Sequence, residues 1–214
     1  MSAPADSGPS IQRVVTLTDA VVAIAMTLLV LPLVELADEV DTSELRRFFV
    51  DHADVLLSFA VSFVVIHVFW AAHGSAFRRV EAADVDVPGL RALNLGWLLV
   101  IAFLPFPTAV VGREVNTSSA PLYIGTMLTL SALTSMIVTV VDRATSRSRR
   151  GGWAWLTTAV FAGCTLLSLL DADLGLLCLL GLALVRLAEV RAGQARTARP
   201  RPARQVSDRE GAAP

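Results

Sequence analysis

Long apolar runs, nearly free of charge, alternate along this chain with short polar segments. A helix needs about 20 apolar residues to cross the hydrocarbon core of a bilayer. Val14 to Val34 is the first such run, with Asp19 its only charge in 21 residues. The second runs from Val55 to about His73, and the third, Ala92 to Gly112, holds 21 residues without a charge. A fourth lies within Val115 to Val141 and a fifth within Gly151 to Leu170. The sixth, Leu174 to Val190, carries Arg186 and Glu189 near its end, close enough to pair on one helix face or snorkel to the headgroups. The pattern predicts an all-α integral membrane protein with six transmembrane helices. The first run is too long for the apolar centre of a cleaved signal, has an internal Asp and follows a single Arg, so it reads as a retained helix.

Arginine placement predicts the orientation. All 18 basic residues are Arg, and 14 of them fall in the N-terminal segment, the second and fourth loops and the C-terminal tail. Loops one, three and five hold three, and Arg186 lies inside the sixth span. Basic residues accumulate on the cytoplasmic side, so both termini are placed there. The first loop is acidic, with Glu35, Asp38, Glu39, Asp41 and Glu44, and is placed outside. The expected organisation is a cytoplasmic segment over 1–12, a six-helix domain over 13–192, and a disordered Arg/Pro-rich cytoplasmic tail over 193–214, attracted to anionic lipid.

Composition narrows the function. Hydrophobic residues make up 54% of the chain and charged ones 17%, against about 25% charged in soluble domains. Mean hydropathy is +0.62. A net charge of −1 points to no nucleic-acid partner, and the absence of Lys removes Schiff-base and phosphate-loop chemistry. Cys164 and Cys178 sit in apolar runs and read as packing residues, not as a disulfide or metal site. His52, His67 and His73 are too dispersed for a metal triad, and no hydrolase motif occurs, so neither a cofactor nor a catalytic residue is expected. No internal repeat of the inverted-transporter kind is visible.

The spans bring polar residues to one depth. Asp19 lies near the start of span 1, Trp70 and His73 near the end of span 2, and Asn94 near the start of span 3. An unpaired Asp in a spanning helix costs roughly 2.5 to 3.5 kcal/mol at mid-membrane and less towards the interface. A mutual hydrogen-bond network of carboxylate, indole, imidazole and amide removes that cost. The residues alone leave three readings open: helix-joining network, proton relay through Asp19 and His73, or solvation at the interface. Ala20, Ile24, Thr27 and Leu31 share one face of span 1, which fits ordinary packing or a pore lining. Pro32, Pro105 and Pro107 break their spans near the outer ends.

Together these residues resemble the transmembrane protein 175 family of potassium channels, in its bacterial six-helix form. The family's R-x-x-x-F-S-D appears here as Arg13-x-x-x-Leu17-Thr18-Asp19, with Ile24, Thr27, Leu31 and Pro32 in register. The likeness continues through Ser62-Phe63, Trp70-x-x-His73, Asn94-Leu95 and the segment Phe103 to Thr108, and covers about the first 110 residues. The resemblance implies a homotetramer with span 1 of each subunit lining a central pore. It implies hydrophobic constrictions at Ile24 and Leu31, potassium preference linked to Thr27, and anchoring of span 1 by Arg13, Asp19, Trp70, His73 and Asn94. Leu17 stands where the family has Phe, removing an aromatic wedge against span 2 or 3, and Thr18 adds a methyl to the family's Ser. The implied function is a passive, potassium-preferring cation channel, with protons as a further permeant ion, in the bacterial plasma membrane. A proton-coupled transporter using Asp19 and His73, or a non-conducting scaffold, are the alternatives.

Overall fold

The computed structural model describes residues 11–36, 45–116, 118–145 and 151–171, the side chains of 151–154 excepted. Eight helices occur among them: α1 (Ile11–Leu28), α2 (Leu31–Glu35), α3 (Leu45–Asp51), α4 (Ala53–Ala83), α5 (Leu90–Phe103), α6 (Pro105–Arg113), α7 (Ser119–Ala144) and α8 (Gly151–Leu170). No strand is present among the described residues. Among the described residues four segments are long and apolar enough to cross a membrane: Ile11–Glu35, Ala53–Ala83, Leu90–Arg113 and Ser119–Ala144. α8 matches the fifth expected span, with Trp155–Leu170 its apolar part. The sixth expected span and the tail lie outside the described residues.

Two spans are broken where proline requires it. Pro32 has no N–H for the Leu28 carbonyl, so α1 stops at Leu28 and α2 resumes at Leu31 after one turn. Pro105 and Pro107 divide span 3 in the same way, into α5 and α6. Span 2 runs further than the apolar count, because Ala76, Arg78, Arg79, Glu81, Ala82 and Ala83 are good helix formers and extend α4 to Ala83. A left-handed Asp84 ends α4, and Gly89, at φ +79°, opens α5 where a side chain would be strained.

α7 is the central helix, packing on α4, α5, α6 and α8, while α1 covers the groove between α4 and α5. The core holds Trp97, Tyr123, Ile124, Met127, Leu130 and Ile137. Hydroxyls join the helices within it. Tyr123 and Thr108 both bond Ser62, at 2.8 and 2.9 Å, linking α7, α6 and α4. Thr108 gives its own hydrogen to the Leu104 carbonyl, so the chain of donation runs from Tyr123 through Ser62 to Thr108. Trp97 donates to Thr134 at 3.0 Å, and Ser131 and Ser135 meet Thr158 of α8 at 3.0 and 2.8 Å. Every such bond removes a polar group that lipid could not satisfy.

α4 and α6 approach closely at Gly112. A Cβ there would lie 2.5 Å from the Ser58 Oγ and 3.5 Å from the Val55 Cα. Gly112→Leu is expected to lower the unfolding free energy by about 1–3 kcal/mol through overpacking, read as a fall in Tm in detergent. Gly112→Ala should cost less, because the Ser58 hydroxyl can rotate away from the Val55 carbonyl it now bonds at 2.9 Å.

Candidate pore helix and its anchoring network

α1 buries one face against the bundle and turns the other outward. At about 100° per residue, Thr18, Val22, Ala25 and Leu29 fall within a 60° arc, and all four are buried against the bundle. Ala20, Ile24 and Thr27 fall on the opposite arc and are exposed, and Leu31 continues the stripe across the break. Ile24 is 58% exposed and Leu31 50%. Of the four long spans, the first has the smallest share of its apolar window buried, 22%, against 56% for Ser119–Ala144. Thr27 donates its hydroxyl hydrogen to the Ile24 carbonyl at 2.7 Å. The oxygen is thereby left with lone pairs only, which is the form that a cation can use.

The anchoring residues form two separate groups. In the buried one, His73 Nε2 lies 2.7 Å from Asn94 Oδ1. An amide oxygen only accepts, so Nε2 carries the proton and donates. Thr18 gives its hydrogen to the Val14 carbonyl at 2.9 Å and accepts from Asn94 Nδ2 at 3.2 Å. The His73 ring stacks on Phe77 and meets Trp97 at a tilt, with centroids 4.4 Å from each. Thr18 is 1% exposed, so the hydroxyl that the motif carries is the direct tie between α1 and α5.

The second group lies at the rim, where Trp70 Nε1 donates to Asp19 Oδ1 at 2.7 Å. Asp19 and His73, at one depth, do not share a hydrogen bond; Thr18 rather than Asp19 reaches the Asn94–His73 pair. Arg13 is exposed about one and two-thirds turns before Asp19, outside both groups. Leu17 is 56% exposed and points out of the bundle, so a Phe at this position would not wedge against span 2 or 3 within the same chain. Trp70→Phe is expected to lower stability by about 1 kcal/mol, the value of a partly exposed bond to a charged acceptor, read by thermal unfolding in detergent.

Two ties lie at the ends of the bundle. The Arg79–Asp142 pair, at 3.4 Å and largely buried, joins α4 to α7. Arg113 and Glu35, at 2.6 Å, join α6 to the end of α2. The contacts Thr18–Asn94, Asp19–Trp70 and Arg79–Asp142 gather Arg13, Arg78, Arg79, Arg91 and Arg143 at one end of the bundle. No group of three metal-ligating side chains occurs among the described residues.

Residues 13–105 match the family model described as the endosomal/lysosomal potassium channel TMEM175. A potassium channel of Streptomyces collinus is 34% identical over 109 residues, 50% of this chain and 50% of that protein. The chain thus spans about half the length of the curated relative it matches. In fold it is similar to the crystal structure of a lysosomal potassium-selective channel TMEM175 homolog from Chamaesiphon minutus. That match has a TM-score of 0.68 at 24% identity and covers 84% of this chain and 97% of the other. The likeness to this potassium-channel family read from about the first 110 residues is borne out.

Proposed function

We propose that this chain, similar to the TMEM175 channels in sequence over its first spans and in fold over most of its length, is one subunit of a potassium-preferring cation channel. Four copies would surround an axis lined by α1, in a cell membrane, with the arginine-bearing end towards the cytoplasm. The observation that carries this reading is the outward face of α1. Ile24, Thr27 and Leu31 are exposed on a helix whose other side is fixed to the bundle. One helix cannot enclose a path for ions, so the stripe needs further copies to become a pore. Around an axis, four Ile24 side chains would form a constriction that closes by dewetting, and Leu31 a second one nearer the outer end. Thr27 would supply four hydroxyl oxygens between them, replacing part of an ion's hydration shell. Protons would share the path once it is wetted.

A proton-coupled transporter is the less favoured reading. Asp19 is held by Trp70, His73 by Asn94, and no hydrogen bond connects the two groups among the described residues. Flux from liposomes containing the purified protein, with potassium and sodium gradients compared, tests the proposal. Unsaturable flux that favours potassium is the expected result. Silence from folded, inserted protein would overturn the channel reading.

A further inference from the structure

On either side of the outward face of α1, a neighbouring helix turns a second stripe out of the bundle. On α4 it consists of Leu57, Ala60, Phe63, His67 and Trp70, three or four residues apart and exposed. On α5 and α6 it consists of Leu95, Leu99, Phe103 and Phe106, also exposed. Residue 67 is the fifteenth of the 31 in α4, so an imidazole stands at the middle of a spanning helix and points away from its own bundle. Its ring lies 5.6 Å from that of Trp70, and among the described residues no hydrogen bond within the chain engages it. Lipid tails offer no acceptor or donor, and ionisable side chains at that depth face protein or water.

We infer that the α4 stripe centred on His67 docks against the α5–α6 stripe of a second copy of this chain. The inference rests on the pore reading above. With Ile24 and Thr27 turned to a rotation axis, α4 flanks α1 on one side and α5 on the other. Rotation then brings the α4 side of each subunit against the α5 side of the next, a heterologous contact that closes into a ring. Depth agrees with this pairing. Ser62 meets Thr108 and His73 meets Asn94 within the chain, which sets His67 level with about residues 99–103. An axis along the membrane normal preserves that level between subunits. At that level, the Phe103 carbonyl receives no N–H from Pro107 four residues later, leaving an acceptor for the imidazole. By the same scale Phe106 supplies a ring face for Phe63, and Leu99 an apolar surface for Trp70.

Cross-linking in native membranes tests the inference. In a full-length Cys164→Ser/Cys178→Ser background, His67→Cys is combined with Phe103→Cys, or with Leu99→Cys as a second pair, and oxidised. A ladder of linked species up to the size of the ring, absent from each single variant, is the expected result. Linking by His67→Cys alone would set α4 against α4 and overturn the inference. Ile24→Cys in the same background reports the pore reading separately. Linking at Ile24 with no ladder from either pair overturns the interface and leaves the pore. Loss of both overturns the pore reading and the interface with it. A ladder from the pairs without linking at Ile24 supports the interface and removes Ile24 from the axis.

Discussion

Ile24→Asn is expected to raise potassium flux through reconstituted protein by about tenfold or more, the equivalent of about 1.4 kcal/mol taken from the barrier. The side chain is exposed on α1 and contributes little to the bundle, so the substitution should leave folding nearly unchanged. Its effect would then fall on the proposed path itself. A ring of four isoleucines disfavours water and therefore ions, whereas four amides hold water across the constriction. In the proposed pore Leu31 would remain as a second apolar ring, so Ile24→Asn/Leu31→Asn should exceed either single variant. A transporter gives the opposite result, since wetting one face of α1 would not convert a coupled cycle to unsaturable flux. No change, or a loss, in protein of unchanged Tm would remove Ile24 from the conduction path.

The break in span 1 was legible because Pro32 and its missing N–H are local features. So was the depth of Asp19, Trp70, His73 and Asn94, since antiparallel spans place residues by counting. Which of them touch was not legible, because that depends on helix rotation. Thr18 and Asp19 are adjacent, about 100° apart on α1, and only the rotation decides that Thr18 enters the core while Asp19 stays at the rim. The exposure of Leu17 within the chain follows from the same rotation. The Tyr123–Ser62–Thr108 cluster gave a weak signal: Tyr123 is the only Tyr of the chain and sits in an apolar run, but its partners come from two other spans. Span 2 ran past its apolar limit because helix propensity, unlike hydropathy, continues through Arg78 and Arg79. α3 escaped the reading because seven residues mixing Arg with Phe show no sustained period.

Asn94→Leu is expected to destabilise the protein more than any other single change in the anchoring residues, by about 3 kcal/mol. The figure follows from where Asn94 stands. Its amide oxygen takes the proton of His73, and its amide nitrogen serves Thr18. Removing both leaves the His73 Nε2–H without an acceptor in a site walled by Phe77 and Trp97, and each unsatisfied buried group costs about 1–3 kcal/mol. Thr18 suffers less, because its hydrogen already goes to the Val14 carbonyl. Asn94→Asp keeps the acceptor for His73 and should be the milder variant if the histidine bond dominates. The double variant His73→Phe/Asn94→Leu replaces both partners by apolar groups of similar shape, and should recover much of the loss. Thermal unfolding of the four proteins in detergent checks the order. Equal Tm for Asn94→Leu and the double variant would show that the cost lies in lost α1–α5 packing, not in a stranded imidazole donor.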